Sequence, residues 1–546
     1  MKTIFFTLQI LFSSHFIFAQ TFSEAWVVRH NGTANSLDWP YALQLDVSGN
    51  VYVTGYSTGT GTSKDYFTIK YNSLGQSQWS RSYNGLVNGG DYSYAMTVDA
   101  NSNVYVTGRI DNGGTTQSDI TTIKYDANGN QQWVVSYNGA GNGLDEAKAI
   151  VTDASGNIYI GGRTYVGAND YDIVIIKYNS SGIQQWVYTY NGTGNNYDGV
   201  ISIALDQSLN IYASGESIGA GSGSDYILIK LTNSGTQSFV RRYNGTANGG
   251  DASVSVKIDN SGNPIITGSS DEGSNGLINY VTIKYNSTGV QQWFKSYNGE
   301  GGLGDFASAM SIDQSNNIYV TGGSVGTATA VDSNFATVKY SSDGTTQWVA
   351  IYRGPQQSSD IARSVTVDNS GNAYISGSSV GLMQNDYATI KYNSGGTQLW
   401  VLRYNGPGNG NDYANSVAVD IAGNVYVTGR SFGQLTDLDY ATIKYSILVG
   451  IHQINSEIPD KYFLYQNYPN PFNPKTSINF DIAKAGNVKL SVFDSKGVLV
   501  KNLADNFINP GKYQVSFSAE EFSSGVYFYT FESGDYKASK KMILLK

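Results

Sequence analysis

Three observations predict an all-β fold, a closed β-propeller of eight four-stranded blades followed by a C-terminal β-sandwich. One four-phrase pattern recurs eight times between Trp26 and Tyr445. Its anchor lysines stand at 70, 124, 177, 230, 284, 339, 391 and 444, in steps of 52 to 55 residues. That is the period of a blade made from four short strands. The chain also opens on the phrase with which every other repeat closes, so its two ends are complementary.

The first 19 residues read as a secretory leader. Lys2 supplies the positive start, Ile4 to Phe18 a mostly apolar stretch and Ala19 the small residue before the cut. The run is too short for a membrane anchor, and no transmembrane segment is expected once it is removed. Residues 20–447 follow as the ring. Within each repeat the phrase ending in aspartate, such as Ala95-Met96-Thr97-Val98-Asp99, is read as the inner strand. Asn103-Val104-Tyr105-Val106-Thr107-Gly108 is second, Thr122-Ile123-Lys124-Tyr125 third, and the run through Trp133 outermost. Asp-x-Ser-Gly-Asn, as at Asp46 to Asn50, joins the first two strands as a tight glycine turn. Tyr-Asn-Ser-x-Gly, as at Tyr71 to Gly75, joins the last two.

The spacing is fixed except in one place. Nine residues separate each lysine from the next tryptophan (Phe239 in one copy), and only the stretch from the second-strand glycine to the lysine varies, from 14 to 17 residues. Trp26 to Gly32 is an outer-type strand with no blade before it, and Tyr440 to Tyr445 is a third-type strand with no tryptophan run after it. Docking one on the other closes the ring and removes two exposed edges. The tryptophans are expected to pack between blades.

After Tyr445 the repeat stops. Residues 448–463 read as a linker, and five of the nine prolines lie from Pro459 onward. Residues 464–546, with the phrases Gly511-Lys512-Tyr513 and Val526-Tyr527-Phe528-Tyr529, read as a β-sandwich.

Composition narrows the chemistry. The 546 residues include no Cys and three His, at 15, 30 and 452, so a thiolate metal site or a Ser-His-Asp triad has little to be built from. The net charge of −9 argues against nucleic acid as a partner. No cofactor is expected.

Two resemblances add to this reading. The phrases Asp-x-x-Gly-Asn-x-Tyr-Val-Thr-Gly and Asp-Tyr-x-Thr-Ile-Lys-Tyr resemble the bacterial seven-bladed β-propeller, or SBBP, repeat over residues 25–447. The family name implies seven blades, whereas the count and the closure argument here support eight. The tail, from Tyr465-Gln466-Asn467-Tyr468-Pro469-Asn470-Pro471-Phe472-Asn473-Pro474 onward, resembles the C-terminal sorting domain of type IX secretion cargo. That resemblance implies a Gram-negative host of the Bacteroidetes type, secretion or display on the outer surface, and the secretion machinery as partner through the tail.

Candidate site residues come from the repeat and from its exceptions. Asp38, Asp91, Asp145, Asp198, Asp251, Asp305, Asp360 and Asp412 recur once per blade on one face, here called upper. They are an alternative metal set, or the carboxylates of a glycosidase or lyase; their once-per-blade recurrence argues instead for turn capping. A site for one ligand should break the symmetry. The residue after the second-strand glycine is Arg109, Arg163 and Arg430 in blades two, three and eight and Tyr56 in blade one; Trp39, Tyr92 and Tyr413 follow the upper aspartates of the same sector. Guanidinium groups beside rings suit a glycan or a peptide. The expected function is therefore a noncatalytic binding scaffold on the upper face, with a glycan-active enzyme as the alternative.

Overall fold

The computed structural model describes residues 22–546 apart from 114–117, 169, 274–276, 327–331, 357, 383, 448–450, 456, 509 and 521. The leader expected at 1–19 lies outside the described residues. Every regular element among the described residues is a β-strand. Residues 26–444 form one compact unit, and residues 445–546 fall in a second.

The repeats fold into eight four-stranded sheets. In the second, Tyr92–Val98, Val104–Asp111, Ser118–Tyr125 and Gln131–Tyr137 pair in that order, each antiparallel to the next. The second and third strands lie between neighbouring sheets and are buried on both faces, so they read as near-continuous apolar runs; Val104, Tyr105 and Val106 are each 0% exposed. Their polar positions pair across the ladder, as Thr107 Oγ1 does with Thr122 Oγ1 at 2.8 Å. The outer strand alternates, because one of its faces meets solvent.

The eighth sheet draws on both ends of the repeat region. Its strands are Asp412–Val419, Val425–Phe432, Leu438–Ile447 and, hydrogen-bonded to the last of these, Phe22–His30. Arg29 on that N-terminal strand donates to Ser431 Oγ (2.6 Å), Ser431 O (2.7 Å) and Asp439 Oδ2 (2.9 Å). The eighth blade in turn meets the first: Asn415 Nδ2 donates to Pro40 O at 2.6 Å, and Asp38 N to Leu438 O at 2.7 Å.

The recurring lysine and tryptophan share one task. Lys70 Nζ and Trp79 Nε1 both donate to Ala127 O in the next blade, each at 3.1 Å. Lys444 and Trp26 do the same to Ser73 O across the seam, at 3.0 and 3.2 Å. The ring of Trp79 lies against Gly129, whose φ of +78 and missing Cβ both matter: a methyl group there would sit 2.6 Å from the indole.

The tail holds two four-stranded sheets. One orders Ile451–Asn455, Gly511–Ser518, Lys475–Ile482 and Phe463–Leu464; the other Leu499–Ile508, Gly486–Phe493, Gly525–Ser533 and Tyr536–Leu544. Ile478, Phe480, Val515, Leu490, Tyr529 and Met542 pack into one core drawn from both sheets. The expected linker needs correcting here: residues 451–455 are a strand paired with Gly511–Ser518. A short strand can serve as an edge when a ladder partner supplies its backbone hydrogen bonds.

Candidate binding surface at the upper mouth of the ring

The first strands of neighbouring blades pack side by side around the ring. Each opens on one of the eight upper aspartates, and all eight are 0% exposed. Asp38 accepts from Gly32 N (2.6 Å) and Thr58 N (2.8 Å); Asp91 from Gly85 N (2.6 Å) and Asp111 N (2.9 Å); Asp412 from Gly406 N (2.7 Å) and Phe432 N (2.9 Å). Asp145, Asp198, Asp251 and Asp360 repeat both bonds, and Asp305 the first. These carboxylates fasten two loops of their own blade through backbone N–H groups. Burial raises all eight above the usual carboxylate range, Asp91 to about 6.

Directly after each aspartate the ladder sets the exceptional residues opposite one another. Tyr413 pairs with Arg430, Trp39 with Tyr56, Tyr92 with Arg109, and Glu146 with Arg163. The sequence reading had Arg163 without its partner Glu146. It also missed a bulge: in these blades the register slips between Pro40 and Ala42, Ser93 and Ala95, and Ala147 and Ala149. The residue left out of the ladder is Tyr41, Tyr94 or Lys148. A bulge frees one side chain from pairing and re-aims it.

Together these side chains form one continuous run. The Arg430 guanidinium lies 3.3 Å from the centroid of Trp39 and 4.5 Å from that of Tyr413. Trp39 stacks at 5.6 Å on Tyr41, which meets Tyr94 edge-on at 5.1 Å. Lys148 Nζ stands 3.5 Å over Tyr94, Arg109 lies 4.6 Å over Tyr92, and Arg163 lies 4.7 Å over Tyr197. Glu146, 4% exposed, draws three cations: Arg163 at 2.8 Å, Lys148 at 3.2 Å and Arg109 at 4.0 Å.

Two expectations change in detail. Tyr56 is 2% exposed and supports the surface from below, roofed by Trp39, Tyr41 and Tyr92. Arg109 and Arg163 are engaged by Glu146. Arg430 has no carboxylate partner among the described residues; burial pushes its pKa down, yet a guanidinium stays charged at neutral pH. Tyr41 is pushed up to about 12 by burial and remains a neutral ring.

The opposite sector is plain. The corresponding cross-strand pairs there are Ala252 with Ser269, Phe306 with Gly323, and Ile361 with Ser378.

Residues 466–545 match the secretion system C-terminal sorting domain, and residues 347–381 and 399–434 match the β-propeller repeat called SBBP. No curated protein matches the chain. Among solved structures it is similar to PorZ, a surface component of the type IX secretion system of Porphyromonas gingivalis. The identity is 12% and the TM-score 0.33, over 92% of this chain and 74% of that one. It is also similar to the β-propeller domain of the Trilobed protease from Pyrococcus furiosus, at 8% identity and TM-score 0.37, over 66% and 96%. A third is an endo-arabinase from Bacteroides thetaiotaomicron, at 11% identity and TM-score 0.27, over 44% and 91%.

Proposed function

We propose that this chain, which carries SBBP β-propeller repeats and a type IX sorting domain, works outside the cell as a noncatalytic binding scaffold. The sorting domain marks it for secretion to the cell surface or the medium and for engagement by the secretion machinery on the way. The propeller is the working part, and its ligand is a glycan or a protein segment held on the upper face.

One observation supports this most. Ring and cation contacts, bridged once by the ion pairs of Glu146, run from Tyr413 to Tyr197 through the sector where the repeat departs from itself. Rings that need only a flat face and guanidinium groups held by stacking suit recognition without chemistry.

The enzyme reading keeps one specific observation. Glu216, raised by burial, sits on the blade beside Glu146 and feels the same Arg163. Two neighbouring carboxyl groups, one of them raised by burial, are the kind of pair glycosidases use.

A glycan and peptide array probed with the mature protein tests both readings. We expect hits that a Tyr41→Ala/Tyr94→Ala variant loses and a Phe306→Ala variant keeps. Hits indifferent to the first variant would place binding elsewhere. Turnover of a hit, abolished by Glu216→Gln, would replace the scaffold with an enzyme.

A further inference from the structure

Charge is distributed against the trend of the chain. The whole sequence carries −9. Three positions per blade build the upper mouth: the residue after the aspartate, the bulged residue, and the residue after the glycine. Over the eight blades these positions hold five cations, Arg109, Lys148, Arg163, Arg363 and Arg430, and two carboxylates, Glu146 and Glu216. Four of the five cations lie on blades eight, two and three, among the rings. Arg363 is exposed on blade seven, the neighbour of blade eight, and its charge reaches Arg430.

These cations fall into two kinds. Arg109, Lys148 and Arg163 surround Glu146, which fixes them and cancels one of their three charges. Among the described residues, Arg430 is held by ring stacking alone. Its Nε is buried without a hydrogen-bond partner, as is Nε1 of Trp39 beneath it. A cleft of about 470 Å³ opens at Arg430, walled by Tyr413, Phe432, Leu37, Asn411 and Gln384. Asp437, which also lines it, stands beyond salt-bridge distance of Arg430 and accepts from the N–H of Leu438. A rigid guanidinium with free terminal N–H groups, next to amide side chains and exposed ring surface, is a receptor for one planar or tetrahedral anion.

Resting on the binding reading above, we infer that the ligand is an acidic polysaccharide, its carboxylate or sulfate groups forked by Arg430 and its sugar faces laid on Tyr413, Tyr41 and Tyr94. A polymer fits better than a single sugar. The cationic sector spans four blades, so successive charges along one chain can meet Arg430 and then the net-positive cluster around Glu146. A glycan fits better than an acidic peptide. Each first strand is hydrogen-bonded on one side alone, but the first strands of both neighbouring blades crowd it, which leaves little room for a peptide to add a strand at the mouth.

The test is affinity electrophoresis of the mature protein in gels holding one probe each: polygalacturonate, its fully methyl-esterified form, dextran sulfate, dextran and poly-glutamate. We expect retardation by polygalacturonate or dextran sulfate, which of the two identifying the anion, and at least about tenfold weaker retardation by the neutral partner polymer. Arg430→Ala should weaken binding about tenfold, with Arg430→Lys intermediate because it keeps the charge and loses the fork. Arg353→Ala, at an exposed pair with Glu300, should change nothing. Tryptophan fluorescence checks that each variant is folded. Equal retardation by charged and neutral polymers, or parental binding by Arg430→Ala, overturns the inference. Poly-glutamate binding as strong as that of the acidic polysaccharides overturns the choice of glycan. If no acidic probe binds while neutral array hits are still lost with Tyr41→Ala/Tyr94→Ala, the acidic ligand fails and the scaffold reading stands.

Discussion

Replacing Arg29 with Ala removes the clip that holds the N-terminal strand in the last blade. Three bonds to Ser431 and Asp439 go, together with one to Tyr404 OH at 3.1 Å. The Asp439 side chain, 5% exposed, keeps only Thr436 Oγ1, at 2.8 Å. Breaking a buried pair from one side costs about 3–5 kcal/mol. Arg29 is 22% exposed, so water softens the loss and the lower end, about 3 kcal/mol, applies. A ring of this size unfolds with an entropy near 0.9 kcal/mol/K, so the Tm falls by only about 3 °C. Position separates this fork from its twin. Arg242 makes the same fork in blade four, to Ser217 and Asp225, but its strand follows the third strand through a short turn. Phe22–His30 has no such turn behind it. Hydrogen exchange of the mature protein should therefore show Arg29→Ala opening residues 26–30 well below the global unfolding energy. Arg242→Ala should lower global stability by a similar amount without selective opening of 239–243. All eight tryptophans lie between residues 26 and 400, so fluorescence follows the ring alone. An Arg29→Ala ring with unchanged Tm and unchanged protection of residues 26–30 would refute the role of this strand in closing it.

Other perturbations follow from single residues. Leu209 stands at φ 59 in the turn where Gly49 stands at +74, so Leu209→Gly should stabilise by about 1 kcal/mol in thermal melts. His30, stacked at 3.8 Å on Phe67, has its pKa lowered by burial from 6.5 to about 4. The neutral ring is the folded form, so its contribution is complete above 6.5 and is lost as the pH falls towards 4. Parent and His30→Phe melts should accordingly differ more at pH 4.5 than at 7.5, with the parent losing stability selectively on acidification. A chain ending near residue 463 should stay in the periplasm of its native host, as fractionation would show.

The parts of the fold legible in the sequence are those that repeat. Equal spacing marks the strands because every blade needs the same ladder and turns. The unmatched phrases at Trp26 and Tyr440 mark the seam because an unpaired edge has a cost. What stays hidden is what equal spacing conceals. The bulge occurs in every blade, so no interval betrays it, and Tyr41, Tyr94 and Lys148 read as ordinary strand residues. Burial is hidden too: Tyr56 lies directly across the ladder from Trp39, and only packing decides that one covers the other. Glu146 escaped because it occupies a position that is aromatic in the blades before it. The strand at 451–455 was lost because its partner, not its composition, makes it a strand.

If the ring binds through the sector spanning blades eight, one, two and three, bound ligand should shield that sector and no other. Hydrogen-exchange mapping of the mature protein with its strongest array ligand tests it most directly. Protection is expected at residues 39–41, 92–94, 146–148 and 429–431, and none in blades five and six. Protection confined to the lower-face turns, such as Asp206 to Asn210, or to blades five and six, would contradict it.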